Sequence, residues 1–151
     1  MIARESPLGA DLALMMARHT ADMHADTPPE SIYMMDAGQL AVADVSFYVL
    51  REAGVPVAMG AIRRIDDSHA EIKSMHVLAE ARGRGLSRAI LDHLLAEAAA
   101  AGFARLSLET GIQPTFVAAR ALYAKAGFMQ CRAFEGYWDD PNSIFLTKLL
   151  A

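Results

Sequence analysis

The spacing of apolar residues in the first half of the chain changes once, from a helical repeat to the alternation typical of strands. At residues 10–24 apolar side chains recur at the spacing of one helix face, which predicts a helix. Pro28 and Pro29 end this pattern. β-Branched and aromatic residues then fill three stretches separated by short turns, which predicts an antiparallel meander. The three predicted strands are residues 45–50, 55–65 and 70–77.

The second half of the chain predicts two more helices and three more strands. Residues 86–98 carry an apolar stripe at helical spacing, and Gly102 marks the end of that helix. Residues 115–126 form a similar pattern that ends at Gly127. Because a helix lies between them, we expect the strand after Gly102 to run parallel to the strand at 70–77. The three later strands are predicted at residues 103–109, 128–133 and 144–150.

These elements predict a single α/β (α+β) domain over residues 1–151, with a mixed, mostly antiparallel sheet of six to seven strands and helices on both faces. The apolar fraction of 54% against 21% charged residues excludes a disordered chain. Fourteen Lys and Arg against 18 Asp and Glu give a net charge of −4, which disfavours binding to nucleic acid.

Signals for membranes, export and metal are missing from the sequence. No apolar run reaches the roughly 18 residues of a membrane helix, and the N-terminus has no basic segment followed by an apolar core. The single cysteine, Cys131, has no partner for a disulfide and no close histidine pair for a metal site. We therefore expect a cytoplasmic protein that binds neither membrane nor metal.

The segment Arg82-Gly83-Arg84-Gly85 stands between a predicted strand and a predicted helix. The first N–H groups of a helix have no partner within it, and the helix dipole makes that end positive. Two glycines let a ligand approach these groups, while Arg82, Arg84 and Arg88 add positive charge. This favours a pyrophosphate site, and a flexible connection with solvated arginines is the alternative. The spacing matches neither a Walker A loop nor a dinucleotide-binding motif.

Two segments resemble the motifs of the GNAT family of N-acetyltransferases. Residues 70–91 resemble its core motif, whose acetyl-CoA loop reads Q/R-x-x-G-x-G/A and here reads Arg82-x-x-Gly85-x-Ser87. Residues 118–128, AARALYAKAGF, resemble its second motif. Further segments over most of the chain resemble the YsnE-like branch, which includes indole-acetic acid acetyltransferases. The resemblance implies the GNAT fold and direct transfer of an acetyl group from acetyl-CoA to an amine of a small molecule or protein.

The resemblance also implies which residues bind acetyl-CoA. Part of the 70–77 strand would align the pantetheine arm like an added strand, and the glycine-arginine turn would bind the pyrophosphate. Ser87 stands where the family usually has Gly or Ala, and Phe116 stands where an asparagine commonly contacts the arm. The implied cofactor residues are Met75, His76, Val77, Arg82, Gly83, Arg84, Gly85, Leu86, Ser87 and Arg88.

For the chemistry, the resemblance implies a general base at Glu71 and a general acid at Tyr123. The Met75 N–H would polarise the thioester carbonyl if its strand bulges away from its neighbour. Structural interpretations remain open beside these roles. Glu71 would pair with Lys73 or with an arginine of a neighbouring strand, the Tyr123 hydroxyl would be anchored in the core, and His76 would serve packing.

The acceptor pocket is expected where the first helix, the proline corner, the end of the 103–109 strand and the 136–142 loop meet. Acidic candidates favour a cationic amine, whereas an indole acceptor predicts an aromatic slot. Two alternatives remain, a noncatalytic acyl-CoA-binding or sensing module and a structural interaction domain. Members of the resembled family often pair through their last strands, so the resemblance also allows a homodimer. The candidate pocket residues are His19, His24, Glu30, Tyr33, Glu109, Tyr137 and Trp138.

Overall fold

Seven strands and four α-helices follow one another in residues 1–150, the part of the chain that this computed structural model describes. The strands are β1 (Ile2–Arg4), β2 (Val45–Glu52), β3 (Val55–Arg64), β4 (His69–Val77), β5 (Arg105–Gly111), β6 (Met129–Cys131) and β7 (Ser143–Leu149). The helices are α1 (Ala13–Asp26), α2 (Ala37–Leu40), α3 (Leu86–Ala100) and α4 (Val117–Lys125).

All seven strands form one sheet in the order β1-β2-β3-β4-β5-β7-β6. Within residues 1–150 the pair β4 and β5 is parallel and every other neighbouring pair is antiparallel. Helix α3 connects the two parallel strands, as their direction requires. The prediction of a mixed, mostly antiparallel sheet is confirmed.

Helices cover both faces of the sheet, as predicted. Strand residues alternate between the faces, so one apolar set meets α3 and α4 while the other meets α1 and α2. On the first face the buried residues include Ile72, Leu91, Leu94, Leu106 and Tyr123. On the second face they include Leu12, Met15, Leu40, Phe47 and Met59.

Strands β4 and β5 pair over a short stretch and then stop pairing. Their register joins His69 to Arg105 and ends with Glu71 opposite Ser107, although both strands continue beyond that point. The backbone groups that face each other past this pair have no ladder partner. An opening in the sheet begins here, and the candidate site lies in it.

A bulge in β4 lies at the edge of this opening. The β3–β4 register passes over Ser74 and Met75, which lie opposite Gly60 as two residues against one. Ser74 has a left-handed φ of 56°. A Cβ on Gly60 would come within 3.0 Å of three side chains, so a larger residue opposite the bulge would require these side chains to shift. The bulge leaves the Met75 N–H without a register partner, which is the condition that its predicted role requires.

The differences from the predicted elements lie at their ends, in the edge strand β1, which is not among the six strands located from the sequence, and in one short helix. The helix predicted at residues 10–24 is a 3₁₀ turn, Ala10–Leu12, followed by α1, and the strand predicted at 128–133 is limited to β6. Helix α2 was not predicted. A capping box holds its start, because the Asp36 side chain accepts from the Gln39 N–H and the Gln39 side chain accepts from the Asp36 N–H. Asp36 and Gln39 stand three residues apart in the sequence, and this spacing could have predicted the start of the helix.

Candidate active site

The turn before α3 has the backbone geometry of a ligand-binding turn. Gly83 and Gly85 have φ values of 79° and 77°, a region that favours glycine. A Cβ on either residue would meet no protein atom within 4 Å. No side chain caps the N-terminus of α3. The N–H groups at this helix end therefore face open space, which fits a pyrophosphate.

Arg82 connects this turn to β4 and α1. Its Nε donates to the Val77 carbonyl oxygen at 3.0 Å, and its Nη2 donates to Asp22 Oδ2 of α1 at 3.0 Å. The Arg82 and Asp22 side chains are about half exposed. Exposed ion pairs of this kind are weak, so an incoming phosphate can compete for the guanidinium.

The other two arginines of the turn have partners elsewhere. Arg84 pairs with Glu52 at the end of β2, and Arg88 pairs with Asp92 one turn further along α3. Neither residue lines the cavity beside the turn. Their predicted part in pyrophosphate binding stays a prediction that requires these ion pairs to open.

A cavity of about 370 Å³, which we call the cofactor cavity, extends from the turn to the opening in the sheet. Its size is within the range of small-molecule sites, about 300–1,000 Å³. Phe116, which replaces the family's asparagine, also lines it. Eight of the ten predicted cofactor residues line the cofactor cavity: Met75, His76, Val77, Arg82, Gly83, Gly85, Leu86 and Ser87.

His76 is buried against α1. Its ring packs edge-on against His19 with the ring centroids 5.2 Å apart, and its Nδ1 lies 3.9 Å from Asp22 Oδ2. Burial lowers the pKa of both imidazoles, that of His19 to about 4. Both rings are therefore neutral at neutral pH, and His76 has the surroundings of a packing residue.

A second cavity of about 120 Å³, which we call the acceptor cavity, lies in the opening between β4 and β5. The two cavities meet, because six residues line both: His19, Met23, Met75, Phe116, Ala119 and Tyr123. Four of the seven predicted pocket residues line the acceptor cavity, and they are His19, Tyr33, Glu109 and Tyr137. The other three, His24, Glu30 and Trp138, do not line it.

Glu71 is completely buried in the wall of the acceptor cavity. Its Oε1 accepts hydrogen bonds from Arg63 of β3, through Nε at 3.2 Å and Nη2 at 3.0 Å. Its Oε2 accepts a hydrogen bond from the Tyr137 hydroxyl and lies 3.6 Å from Lys73 Nζ. Both oxygens have partners, as in the structural interpretation of this residue, and its role as a base stays a prediction.

Lys73 and two tyrosines tie distant segments together over the acceptor cavity. Lys73 Nζ donates to the Tyr33 carbonyl oxygen at 2.9 Å and to the Tyr137 hydroxyl at 2.8 Å. The Tyr33 hydroxyl in turn donates to Asp140 Oδ2 at 2.6 Å. The rings of Tyr33 and Tyr137 meet edge-on with centroids 5.0 Å apart. The segment after Pro29 is thereby fixed to the loop before β7.

Glu109 differs from Glu71 in that one of its oxygens is free. Its Oε2 accepts from Ser143 Oγ at 2.8 Å, and Oε1 has no hydrogen-bond partner within residues 1–150. Burial, as the main cause, raises the pKa of Glu109 to about 7, with Ser143 and Lys73 opposing the rise. A carboxyl group with a pKa near neutrality is suited to accept and release a proton.

Tyr123 lines both cavities and is only 6% exposed. Its hydroxyl forms no hydrogen bond with a residue of the described chain, so the predicted alternative of an anchored core hydroxyl lacks a partner. Burial raises the pKa of Tyr123, and the negative charge of Glu109 adds to the rise. The phenol is therefore protonated at neutral pH, as a general acid must be.

Three residues that hold this site together were not named from the sequence. Arg63 lies directly opposite Glu71 in the antiparallel pair of β3 and β4. The alternation of side chains along these two predicted strands could therefore have placed Arg63 beside Glu71. Asp140 and Ser143 lie in and after a turn-rich loop, where no periodicity predicts the course of the chain.

A sequence model described as the Acetyltransferase (GNAT) family matches residues 14–128. The chain belongs to this family. It is 37% identical over 142 residues to the Uncharacterized N-acetyltransferase YsnE of Bacillus subtilis (strain 168), with 94% of each protein covered. It is 39% identical over 154 residues to the IAA acetyltransferase of Azospirillum brasilense, with 99% of this chain and 97% of that protein covered. A solved acyl-CoA N-acyltransferase from Klebsiella pneumoniae matches with a TM-score of 0.77 and 28% identity, covering 100% of this chain and 97% of that one.

As a GNAT protein the chain is an acetyl-CoA-dependent N-acetyltransferase, and acetyl-CoA is its cosubstrate. The cofactor cavity fits this role, since glycines shape its turn and open N–H groups lie at its end. Residues 1–150 contain no group of three or more His, Cys, Asp and Glu that could hold a metal ion. Among the helices described, none has the length and apolar character needed to cross a membrane.

Proposed function

We propose that the chain works as one catalytic domain that moves an acetyl group directly from acetyl-CoA to a primary amine of a small molecule or protein. The observation that carries this proposal is the meeting of the two cavities at Met75 and Tyr123, next to a carboxyl group with a free oxygen. A module that only binds acyl-CoA needs no second cavity with an acid and a base at this point. One continuous sheet supports the single domain.

Acetyl-CoA is held along one continuous stretch of the chain in this proposal. Gly83, Gly85 and Arg82 bind the pyrophosphate at the start of α3. Residues 75–77 of β4 align the pantetheine arm through their free backbone edge. The lining of the cofactor cavity by these residues and the missing ladder partners beyond Glu71 support the assignment.

Glu109 accepts the proton of the amine in this proposal. The resemblance to the family points to Glu71, but both oxygens of Glu71 already have partners, whereas Glu109 keeps one oxygen free and has a pKa of about 7. Glu71 then serves to hold Lys73 and Tyr137 in position. Both carboxylates line the acceptor cavity, so substitution of each residue in turn separates the two assignments.

The bond changes balance without another reactant. The amine nitrogen forms a bond to the thioester carbon, the carbon–sulfur bond breaks, and the nitrogen loses a proton to Glu109. Tyr123 donates a proton to the departing sulfur, which leaves as the thiol of CoA. The proton that Glu109 has accepted then returns to the Tyr123 phenolate, since both residues line the acceptor cavity. The Met75 N–H donates a hydrogen bond to the thioester oxygen, where negative charge develops.

The identity of the acceptor is narrowed by the acceptor cavity. One relative is named an IAA acetyltransferase, and the rings of Tyr33, Phe116 and Tyr137 provide aromatic walls. The acceptor cavity of about 120 Å³ is nevertheless smaller than a cavity of roughly 150 Å³ that holds one benzene ring, and an indole is larger than benzene. We therefore favour a small or slender amine over an indole compound.

We further propose that the protein is cytoplasmic and that two copies of it form a homodimer. β6 is an edge strand of the sheet, and Met129 on it is 73% exposed, which supports pairing through the last strands. The mass of the protein in solution tests the dimer.

Release of free thiol from acetyl-CoA tests the function. A panel of amines, amino acids, polyamines and indole compounds should reveal acceptor-dependent release, and Tyr123→Phe should lower its rate by about 10²-fold or more. Millimolar acetyl-CoA should raise the melting temperature of both proteins. Stabilisation without acceptor-dependent release would support the binding module instead, and no stabilisation would reject both functions.

A further inference from the structure

The acceptor cavity limits the part of the acceptor that can enter it. Its volume of about 120 Å³ leaves room for the amine and a few adjoining atoms. Apolar side chains, among them Met23, Met34, Ile72 and Leu108, form much of its wall. The entering part of the acceptor is therefore slender and largely apolar.

The acceptor cavity presents one uncommitted anionic atom. Glu109 Oε1 has no hydrogen-bond partner within residues 1–150, whereas both oxygens of Glu71 are bonded to Arg63 and Tyr137. A primary amine can donate to Glu109 Oε1 without breaking an existing contact. The free anionic atom thus sets where the nitrogen of the acceptor lies.

The acceptor cavity presents no uncommitted cation in the described part of the chain. Lys73 Nζ donates to the Tyr33 carbonyl and to the Tyr137 hydroxyl, and it forms an ion pair with Glu71 Oε2 at 3.6 Å. Arg63 lies outside the lining and is bonded to Glu71. His19 is neutral because its pKa is about 4. A carboxylate brought in with the amine would have no positive partner, and an unpaired buried charge is strongly unfavourable.

We infer that the acceptor is a slender primary amine that carries no carboxylate on the carbon next to its nitrogen. Alkylamines, the amine ends of longer chains and the amino groups of peptides meet this description, while free α-amino acids do not. The inference rests on the proposed function, since it names the substrate class of the same site.

A matched set of acceptors tests the charge alone. Alaninamide and alanine have the same number of heavy atoms, but only alanine carries the carboxylate. Propylamine controls for basicity, because its amine is at least as basic as that of alanine. We expect kcat/KM for alanine to be at least 100-fold below the values for both other amines. A difference of less than tenfold between alanine and propylamine would overturn the inference.

Substitutions that release the paired cation sharpen the test. Glu71→Gln leaves Lys73 and Arg63 without their carboxylate, so the preference for propylamine over alanine should fall at least tenfold. Because Glu71 is fully buried, Tyr137→Phe provides a second variant that removes one hydrogen-bond acceptor from Lys73 and should shift the preference in the same direction. Tyr33→Phe is the control, since Lys73 binds the Tyr33 backbone and the preference should stay unchanged.

The outcomes separate this inference from the proposed function. Thiol release with alanine but not with propylamine would overturn the inference and leave the function intact. An unchanged preference in both Glu71→Gln and Tyr137→Phe would also count against it. Acetyl-CoA stabilisation without release from any amine or peptide would reject the proposed function, and the inference with it.

Discussion

The cofactor cavity and the acceptor cavity are built in different ways. The first takes eight of its nineteen lining residues from one stretch between Met75 and Ser87, and the backbone conformations of two glycines in that stretch leave its pyrophosphate end open. The second collects side chains from α1, β4, β5, α4 and two loops, and hydrogen bonds between those side chains hold it. Recognition of acetyl-CoA therefore depends on local backbone geometry, whereas acceptor binding and proton transfer depend on contacts between distant segments.

The largest expected effect of a single substitution is on the acceptor side. Glu109→Gln removes the proposed base and should lower kcat/KM by about 10²- to 10⁴-fold at pH 8. In the wild type kcat/KM should rise with pH through about 7, because the Glu109 carboxyl must lose its proton before it can act. That rise should disappear in the variant, while the KM for acetyl-CoA stays the same. Steady-state rates measured from pH 5.5 to 9 provide the check.

Glu71→Gln is the matched control for this experiment. It should weaken acceptor binding and leave the rise of kcat/KM near pH 7 in place. The opposite pattern, with the pH dependence lost in Glu71→Gln and kept in Glu109→Gln, would return the role of base to Glu71.

The contrast between the cavities also explains how far the sequence could predict the site. The turn residues Gly83 and Gly85 are adjacent in sequence to the helix whose end they expose, so a local pattern carries the information. The order and type of the main elements follow from local periodicity in the same way. The contacts of Glu71 depend on which strands pair and where pairing stops, and Asp140 depends on the path of an irregular loop. No single stretch of sequence contains those facts.

A smaller effect is expected at the cofactor turn. Gly85→Val places a branched side chain at a φ of 77° and into the space left for the ligand. The left-handed conformation should reduce the free energy of unfolding by about 1–2 kcal/mol. We expect the Kd for acetyl-CoA to rise roughly 30- to 100-fold, with acceptor KM at saturating acetyl-CoA little changed. Calorimetric titration measures the affinity.

Gly54→Val separates strain from ligand contact. Gly54 has a φ of 81° and equally open surroundings, but it lies in the turn between β2 and β3 and does not line the cofactor cavity. It should show the same loss of stability with an unchanged Kd. Equal losses of affinity in both variants would mean that the turn acts through stability alone, which would remove the distinction between the two cavities.

The smallest expected effect is at the contact that closes the acceptor side. Tyr33→Phe removes the hydroxyl that donates to Asp140, and Asp140→Asn removes the charge but keeps an oxygen for the Asn142 N–H. A hydrogen bond to a charged group should couple the two substitutions by about 1.5 kcal/mol in the free energy of unfolding, measured by urea titration of the single and double variants. Each single variant should raise the acceptor KM severalfold and leave the Kd for acetyl-CoA unchanged.

The exposed pair Arg64 and Asp67, treated in the same way, should show no measurable coupling. Additive effects of Tyr33→Phe and Asp140→Asn would show that the loop before β7 is held independently of the segment after Pro29, and the acceptor cavity would then depend less on distant contacts than its structure indicates.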